Sequence, residues 1–152
     1  VFAGTIDKCL RGHNAIFKLD IMKAFDRVSW GFLARLLLKF GFHPCFVDMV
    51  MNNLISSWFS ILANGKPHGF FQPTRGLKQG DPLSPFLFIL VSEALSRGLI
   101  NLVESGTVQS YAQPRGALPV SHLAFTDNIV IFTRGDRRSL TDLMNFLEVY
   151  QN

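Results

Sequence analysis

Apolar and polar residues follow one another along the chain with two periods, one typical of strands and one of helices. Residues 15–20, Ala-Ile-Phe-Lys-Leu-Asp, predict a strand that ends in a carboxylate. Two further apolar runs, 122–125 and 129–132, enclose the polar residues 126–128 and predict a hairpin with a polar tip. Because these runs are apolar at successive positions, and so on both faces, they are typical of central strands.

Helical spacing marks the other segments. Residues 30–40 predict a helix with Ser29 as N-cap and Gly41 at its end, and a second helix is predicted from Pro44 to about Asn53. Residues 57–63 and 68–72 predict a hairpin around Asn64-Gly65.

The second half of the chain opens with a Gly/Pro-rich loop over residues 73–82. A long helix is predicted next, with Ser84 as N-cap and Pro85 at the first helical position, continuing to about Val103. Residues 104–119 are predicted to be an irregular connection and 138–150 a last helix. The order of elements predicts an α+β fold, with helices packed on an antiparallel sheet. No repeat or linker divides the sequence, which predicts one domain over residues 1–152.

Composition adds modest constraints. A hydrophobic content of 48% can fill a core, and a net charge of +4 fits a nucleic-acid partner without requiring one. Cys9 and Cys45 lack metal-ligand spacing and the histidines are scattered, so no zinc site is predicted. Unpaired cysteines and the lack of a signal-peptide pattern favour an intracellular protein, nuclear or cytoplasmic. The apolar run 86–91 is too short to span a bilayer, so no membrane partner is expected.

Two carboxylates are candidates for chemistry. Asp20 ends one predicted central strand, and Asp127 lies at the tip of the predicted hairpin. Carboxylates at the ends of adjacent strands can converge on the pair of Mg²⁺ ions, about 3.5–4 Å apart, that phosphoryl transfer uses. The alternative is that both are turn residues, because Asp-Asn is ordinary turn chemistry, and spacing alone favours this alternative.

Two other features can each be interpreted either as part of a functional site or as an ordinary structural element. The loop Arg75-Gly-Leu-Lys-Gln-Gly-Asp-Pro-Leu-Ser-Pro85 offers donors for phosphate or base, and its glycines allow close backbone approach to a ligand. The alternative is that this segment is only a loop that leads into a helix. That interpretation explains its Gly, Pro and Ser residues well, but it explains Arg-x-x-Lys-Gln poorly. An aromatic such as Phe25, in the turn after Asp20, can lie beside an incoming sugar, although an aromatic is more often a core residue.

Three segments, taken in order, resemble motifs A, B and C of reverse transcriptases from non-LTR (LINE-type) retrotransposons. They are Phe17-Lys-Leu-Asp-Ile-Met-Lys-Ala-Phe-Asp-Arg-Val-Ser-Trp30, Arg75 to Phe88, and Ser121-His-Leu-Ala-Phe-Thr-Asp-Asn-Ile-Val-Ile-Phe132. Residues 61–71 are similar to the stretch before motif B in the plant branch of that group. The resemblance covers nearly the whole chain.

This resemblance implies the palm of an RNA-directed DNA polymerase, with a split βαβ, ferredoxin-like sheet and helices on one face. It implies an RNA template, a DNA primer and dNTP as partners, and two Mg²⁺ ions held by Asp20 and Asp127. Phe25 would match the steric gate that rejects a 2′-OH. The residues implied to line the template and nucleotide pocket are Arg75, Lys78, Gln79 and Gly80.

The resemblance departs from the family pattern at motif C. The family has aromatic-Ala-Asp-Asp where this chain has Phe125-Thr-Asp-Asn128. Asn128 keeps an oxygen ligand but loses a charge, and removal of a charge-assisted interaction costs roughly 1.5–3 kcal/mol, on the order of a tenfold to hundredfold loss of rate. We also expect the chain to be a partial domain, a palm with part of the fingers but without a thumb, and to be inactive in isolation. The alternative function is a catalytically inactive retroelement remnant that at most binds nucleic acid.

Overall fold

The computed structural model describes residues 8–11, 14–21, 23–113, 116 and 119–151, which form two compact units. The first unit comprises Val1–Met22 and Glu93–Asn152, and the second comprises Lys23–Ser92. The elements in chain order are β1 (Lys8–Arg11), β2 (Asn14–Asp20), α1 (Trp30–Lys39), α2 (Pro44–Ile55), β3 (Phe59–Ala63), β4 (Lys66–Phe71), α3 (Ser84–Glu104), β5 (His122–Phe125), β6 (Asn128–Arg134) and α4 (Arg137–Gln151). The mixture of helices with antiparallel sheets confirms the predicted α+β class.

The first unit is built on a four-stranded antiparallel sheet in the order β1-β2-β6-β5. Strands β2 and β6 are central, as predicted. Strand β5 was also predicted to be central, but it lies at the edge of the sheet and its last three residues are exposed. Strand β1 was not predicted. Side chains alternate along β2 and β6, and one face of both strands forms the core together with α3 and α4. The buried residues of this core are Ala15, Phe17, Leu19, Leu95, Leu99, Val108, Ile129, Ile131, Leu143 and Leu147.

The second unit contains α1 and α2, which pack on each other. The Ser29 side chain accepts a hydrogen bond from the Phe32 N–H at 3.4 Å, and Gly41 follows α1 with φ +87°, as predicted. Helix α2 begins at Pro44, as expected for a proline whose missing N–H is not needed in the first turn.

Strands β3 and β4 form the predicted hairpin. Asn64 and Gly65 have φ of +51° and +75°, the backbone that a two-residue hairpin loop requires. The second strand begins at Lys66, two positions earlier than predicted, because the loop has only two residues. All residues of both strands are exposed.

The start of α3 differs from the prediction by one position. Ser84 is the first helical residue and not the N-cap, because the Leu83 carbonyl accepts the Leu87 N–H at 3.1 Å. Asp81 caps this end, since its Oδ1 accepts the Leu83 N–H at 2.8 Å and its carbonyl accepts the Ser84 N–H at 3.1 Å.

Helix α3 is longer than the apolar run that predicts it. By length and composition its 21 residues would suffice to cross a membrane. Leu87, Val91, Leu95 and Leu99 are buried within the protein, but only 22% of the apolar stretch is buried, whereas the core helix of a folded domain is mostly buried. The absence of a membrane partner therefore stays a prediction.

Candidate functional site

The first unit gathers three of the predicted site residues at one end of its central strands. Strand β2 ends at Asp20, β6 begins at Asn128, and Asp127 lies in the two-residue loop between β5 and β6. The Ile21 N–H donates to the Asp127 carbonyl at 3.0 Å, which extends the pairing of β2 with β6 beyond Asp20. The prediction that Asp20 and Asp127 lie at the ends of adjacent central strands is correct in its geometry.

Residue 128 is not part of the loop, as the sequence interpretation had it, but is the first residue of β6. It pairs directly with Asp20 across the two strands. Opposed residues of an antiparallel pair share a face, with Cβ atoms about 4.5–5.5 Å apart. Leu19 and Ile129, the next residues inward, are buried on the other face, so Asp20 and Asn128 lie on the face away from the core. Both side chains are half-buried.

The Asp127 carboxylate is held by its two neighbours. Its Oδ1 accepts hydrogen bonds from Thr126 Oγ1 at 2.9 Å and from Asn128 Nδ2 at 3.1 Å. Donors to an ionised oxygen make stronger hydrogen bonds than donors to a neutral one. Asn128 thus acts as a donor towards Asp127, which a carboxylate at position 128 could not do.

Thr126 has an uncommon backbone conformation. Its φ is +53°, in the left-handed region, where a β-branched residue is disfavoured by roughly 1–2 kcal/mol. A two-residue hairpin loop needs a positive φ at its first position, which glycine or asparagine normally supplies. The sequence lacks that signal, which is why the sequence predicted a three-residue tip, 126–128, where the structure has a two-residue loop.

The donor atoms at this edge suit a divalent cation. Asp20 and Asp127 supply carboxylate oxygens, and Asn128 supplies an amide oxygen, all hard ligands of the type that Mg²⁺ takes. Within the described part of the chain, no group of three or more His, Cys, Asp or Glu side chains is placed to hold a metal. That Asp20 and Asp127 hold such an ion stays a prediction from the sequence, and the amide of Asn128 follows Asp127 in the chain.

The second unit joins the turn that contains Phe25 to the loop that begins at Arg75. Phe25 starts a short 3-10 turn, and its carbonyl accepts the Leu77 N–H at 2.8 Å. The Gly76 N–H donates to the Val28 carbonyl at 2.8 Å, and Trp30 Nε1 donates to the Gly76 carbonyl at 2.7 Å. Three hydrogen bonds thus fix the two segments to each other.

Gly76 is required by this junction. Its φ is +94°, and a Cβ at this position would lie 2.9–3.1 Å from backbone atoms of Asp26. The glycine therefore permits close approach of the chain to itself, while the close approach to a ligand stays a prediction. Gly80 also has a positive φ, of +89°, but open space surrounds it.

Side chains of the same loop divide into two groups. Arg75 and Lys78 line a small cavity of about 90 Å³, which Asp26 and Trp30 also line. Gln79 and Gly80 are exposed and do not line it. Arg75 is exposed and Lys78 half-buried, so both cations are accessible to a bound anion.

The Phe25 ring is stacked on Phe88 of α3. Their centroids are 4.6 Å apart, with an interplanar angle of 17°, and both rings are half-buried. Phe88 ends the motif B segment, but sequence reasoning gave it no role, because no spacing rule relates two aromatics this far apart in the chain.

Similarity to a known protein family identifies the class of protein to which this chain belongs. The family model described as reverse transcriptase (RNA-dependent DNA polymerase) matches residues 4–152. The chain belongs to this family.

Individual proteins with similar sequences indicate which type of reverse transcriptase the chain represents. The chain is 37% identical to the Pol polyprotein of the type-2 retrotransposable element R2DM of Drosophila melanogaster, over 97% of the chain and 14% of that protein. It is 31% identical to the Pol polyprotein of a type-1 R2 element of Popillia japonica, over 80% of the chain and 19% of that protein. An uncharacterised mitochondrial protein of Arabidopsis thaliana is 42% identical over 44% of the chain and 55% of its own length. The chain is thus a reverse transcriptase domain of the non-LTR retrotransposon type, and it spans less than a fifth of these two Pol polyproteins.

Proposed function

We propose that the chain forms the palm of an RNA-directed DNA polymerase, with its sheet and helices in a split βαβ, ferredoxin-like arrangement. The reaction is nucleotidyl transfer from a dNTP to the 3′-OH of a DNA primer paired with an RNA template. The observation that supports this most directly is the position of Asp20 and Asp127 at the same end of paired strands β2 and β6. Membership of the reverse transcriptase family supports the reaction class.

Asp20 and Asp127 are proposed as the metal ligands. Two Mg²⁺ ions would activate the primer hydroxyl and stabilise the leaving pyrophosphate. The chain's own contribution is to hold one carboxylate at the end of β2 and a second in the loop before β6. Asn128 weakens that contribution, since its amide carries no charge and its Nδ2 donates to Asp127.

The second unit is proposed to bind the nucleotide and template. Arg75 and Lys78 supply positive charge beside one cavity, while Gln79 and Gly80 offer exposed polar and backbone groups. Phe25 is proposed as the steric gate that excludes a nucleotide 2′-OH. The protein is proposed to act inside the cell, nuclear or cytoplasmic, which agrees with the free, exposed Cys45.

The first test measures divalent metal binding, because it does not depend on turnover. Mn²⁺ binding is measured by electron paramagnetic resonance on the wild-type chain, on Asp20→Asn and on Asp127→Asn. The matched control is Asp48→Asn, an exposed carboxylate on α2. We expect each site variant to lose the bound ion and the control to keep it. Equal Mn²⁺ binding in all four proteins would refute the metal-site assignment.

The second test is primer extension on an RNA template with Mg²⁺ and dNTPs, using the longest available reading frame that contains the chain, with and without Asn128→Asp. We expect Asn128→Asp to incorporate tenfold to hundredfold more nucleotide than the wild type, because the variant restores a negative charge at position 128. Incorporation that survives Asp20→Asn would show that this site is not the catalytic one. Metal binding without incorporation in either protein would favour the inactive remnant.

A further inference from the structure

Two separate contacts in the second unit restrict the position of Phe25. Phe25 has a fixed backbone, because its carbonyl accepts the Leu77 N–H at 2.8 Å. Its ring rests on Phe88 at 4.6 Å between centroids, nearly parallel at 17°. One contact therefore holds the main chain of Phe25, and a separate contact holds its ring.

Phe88 is itself fixed in place. Its helical neighbours Leu87 and Val91 are 1% and 9% exposed, and the Phe88 carbonyl accepts the Ser92 hydroxyl at 3.0 Å. Asp81 caps the end of the helix a few residues before. The backbone of Phe88 thus lies in a capped helix, next to buried residues.

A steric gate depends on the position of its ring more than on the presence of the ring. Functional side chains must be held within about 0.5 Å of their working position, which is less than the length added by a hydroxyl group. A ring that can rotate away from the sugar would admit the 2′-OH.

We propose that Phe88 is a positioning residue that sets the sugar selectivity of the site by holding the Phe25 ring in place. This inference rests on the proposed function, since it takes Phe25 as the gate. Phe88 acts through Phe25 and need not touch the nucleotide.

The test measures dissociation constants of dATP and ATP with Mn²⁺ by isothermal titration, and takes their ratio. The variants are Phe25→Ala, Phe88→Ala and Phe88→Tyr, which keeps the ring. The control is Phe86→Ala, the same residue type in the same helix, with 44% of its surface exposed. Phe88→Leu, which keeps apolar volume without a ring, replaces Phe88→Ala if the latter does not fold.

We expect the wild type to prefer dATP. Phe88→Ala or Phe88→Leu should lower that preference by roughly threefold to tenfold, the range that one aromatic pair contributes. Phe25→Ala should lower it at least as far, and adding Phe88→Ala to Phe25→Ala should lower it no further. Phe88→Tyr and Phe86→Ala should keep the wild-type ratio.

The outcomes separate the inference from the function on which it rests. If Phe25→Ala loses the preference but the Phe88 variants keep it, the inference is wrong and the gate stands. If all variants change the ratio equally, Phe86→Ala included, the effect is general destabilisation and the inference is wrong. If the wild type binds neither nucleotide, or does not distinguish them, the proposed gate fails and the inference fails with it.

Discussion

Replacing Asn128 by aspartate should make the stability of the protein depend on divalent metal. Residue 128 pairs directly with Asp20 and follows Asp127, so the variant places a third carboxylate beside two others. It also removes the hydrogen bond from Asn128 Nδ2 to Asp127 Oδ1 at 3.1 Å. Without metal the variant should therefore be less stable than the wild type.

The pairing of residue 128 with Asp20 sets the size of the expected loss in the free energy of unfolding. Two like charges about 5 Å apart repel by roughly 0.8 kcal/mol at the dielectric of water and by roughly 3 kcal/mol at an effective dielectric of about 20. Half-buried side chains at a strand end lie between these limits, and removal of the hydrogen bond adds about 1 kcal/mol. The free energy of unfolding should fall by about 2–4 kcal/mol in EDTA, or roughly 4–16 °C in Tm for a chain of this size.

A divalent ion should reverse the loss. An ion present at about one hundred times its Kd stabilises the folded state by about 2.7 kcal/mol. The assay is thermal denaturation in EDTA and in MgCl₂, on the wild type, on Asn128→Asp and on the control Asn145→Asp, an exposed position on α4. The reasoning is refuted if Asn128→Asp is as stable as the wild type in EDTA, or if MgCl₂ raises its Tm no more than that of the control.

Three further predictions concern stability. Gly80→Ala should lower the free energy of unfolding by roughly 1–2 kcal/mol, because alanine disfavours the positive φ at this position. Gly76→Ala should lower it by at least about 1 kcal/mol more, because its Cβ would also meet the backbone of Asp26. Equal losses in urea denaturation would contradict this close approach. Burial of the His122 ring lowers its pKa below 6.5, so its neutral form stabilises the fold above that pH and this stability is lost as pH falls. His122→Gln should flatten the dependence of Tm on pH between pH 5 and 7.5, and an NMR titration midpoint at or above 6.5 would refute this. The Ser139 N–H donates to the Asp136 carboxyl at 2.9 Å and lowers its pKa below 3.8. The ionised carboxyl therefore stabilises the fold above that pH, and this stability is lost in acid. Asp136→Ala should remove this loss, and an unchanged dependence of Tm on pH in acid would contradict the prediction.

Local patterns predicted most of the elements, for identifiable reasons. Alternation of buried and half-buried residues in β2 and β6, the Ser29 cap of α1 and the Asn64-Gly65 loop are all encoded within a few residues. Strand β1 was missed because its four residues show no apolar alternation.

Relations between distant segments were harder to predict. The pairing of Asp20 with Asn128 depends on strand register, which a two-residue loop with a positive φ at Thr126 helps to set. The stacking of Phe25 on Phe88 joins a turn to a helix far along the chain, which no periodicity indicates. The roles proposed for Asp20 and Asp127 come from family resemblance, because spacing alone favoured ordinary turns.

The most direct test of the account is a crystal structure of the chain grown with MnCl₂, with the ion located by its anomalous scattering. The account predicts an ion coordinated by oxygens of both Asp20 and Asp127, at about 2.1 Å, the distance Mg²⁺ takes. An ion bound elsewhere, or carboxylates more than roughly 8 Å apart, would contradict it, because such carboxylates cannot jointly hold two metals about 3.5–4 Å from each other.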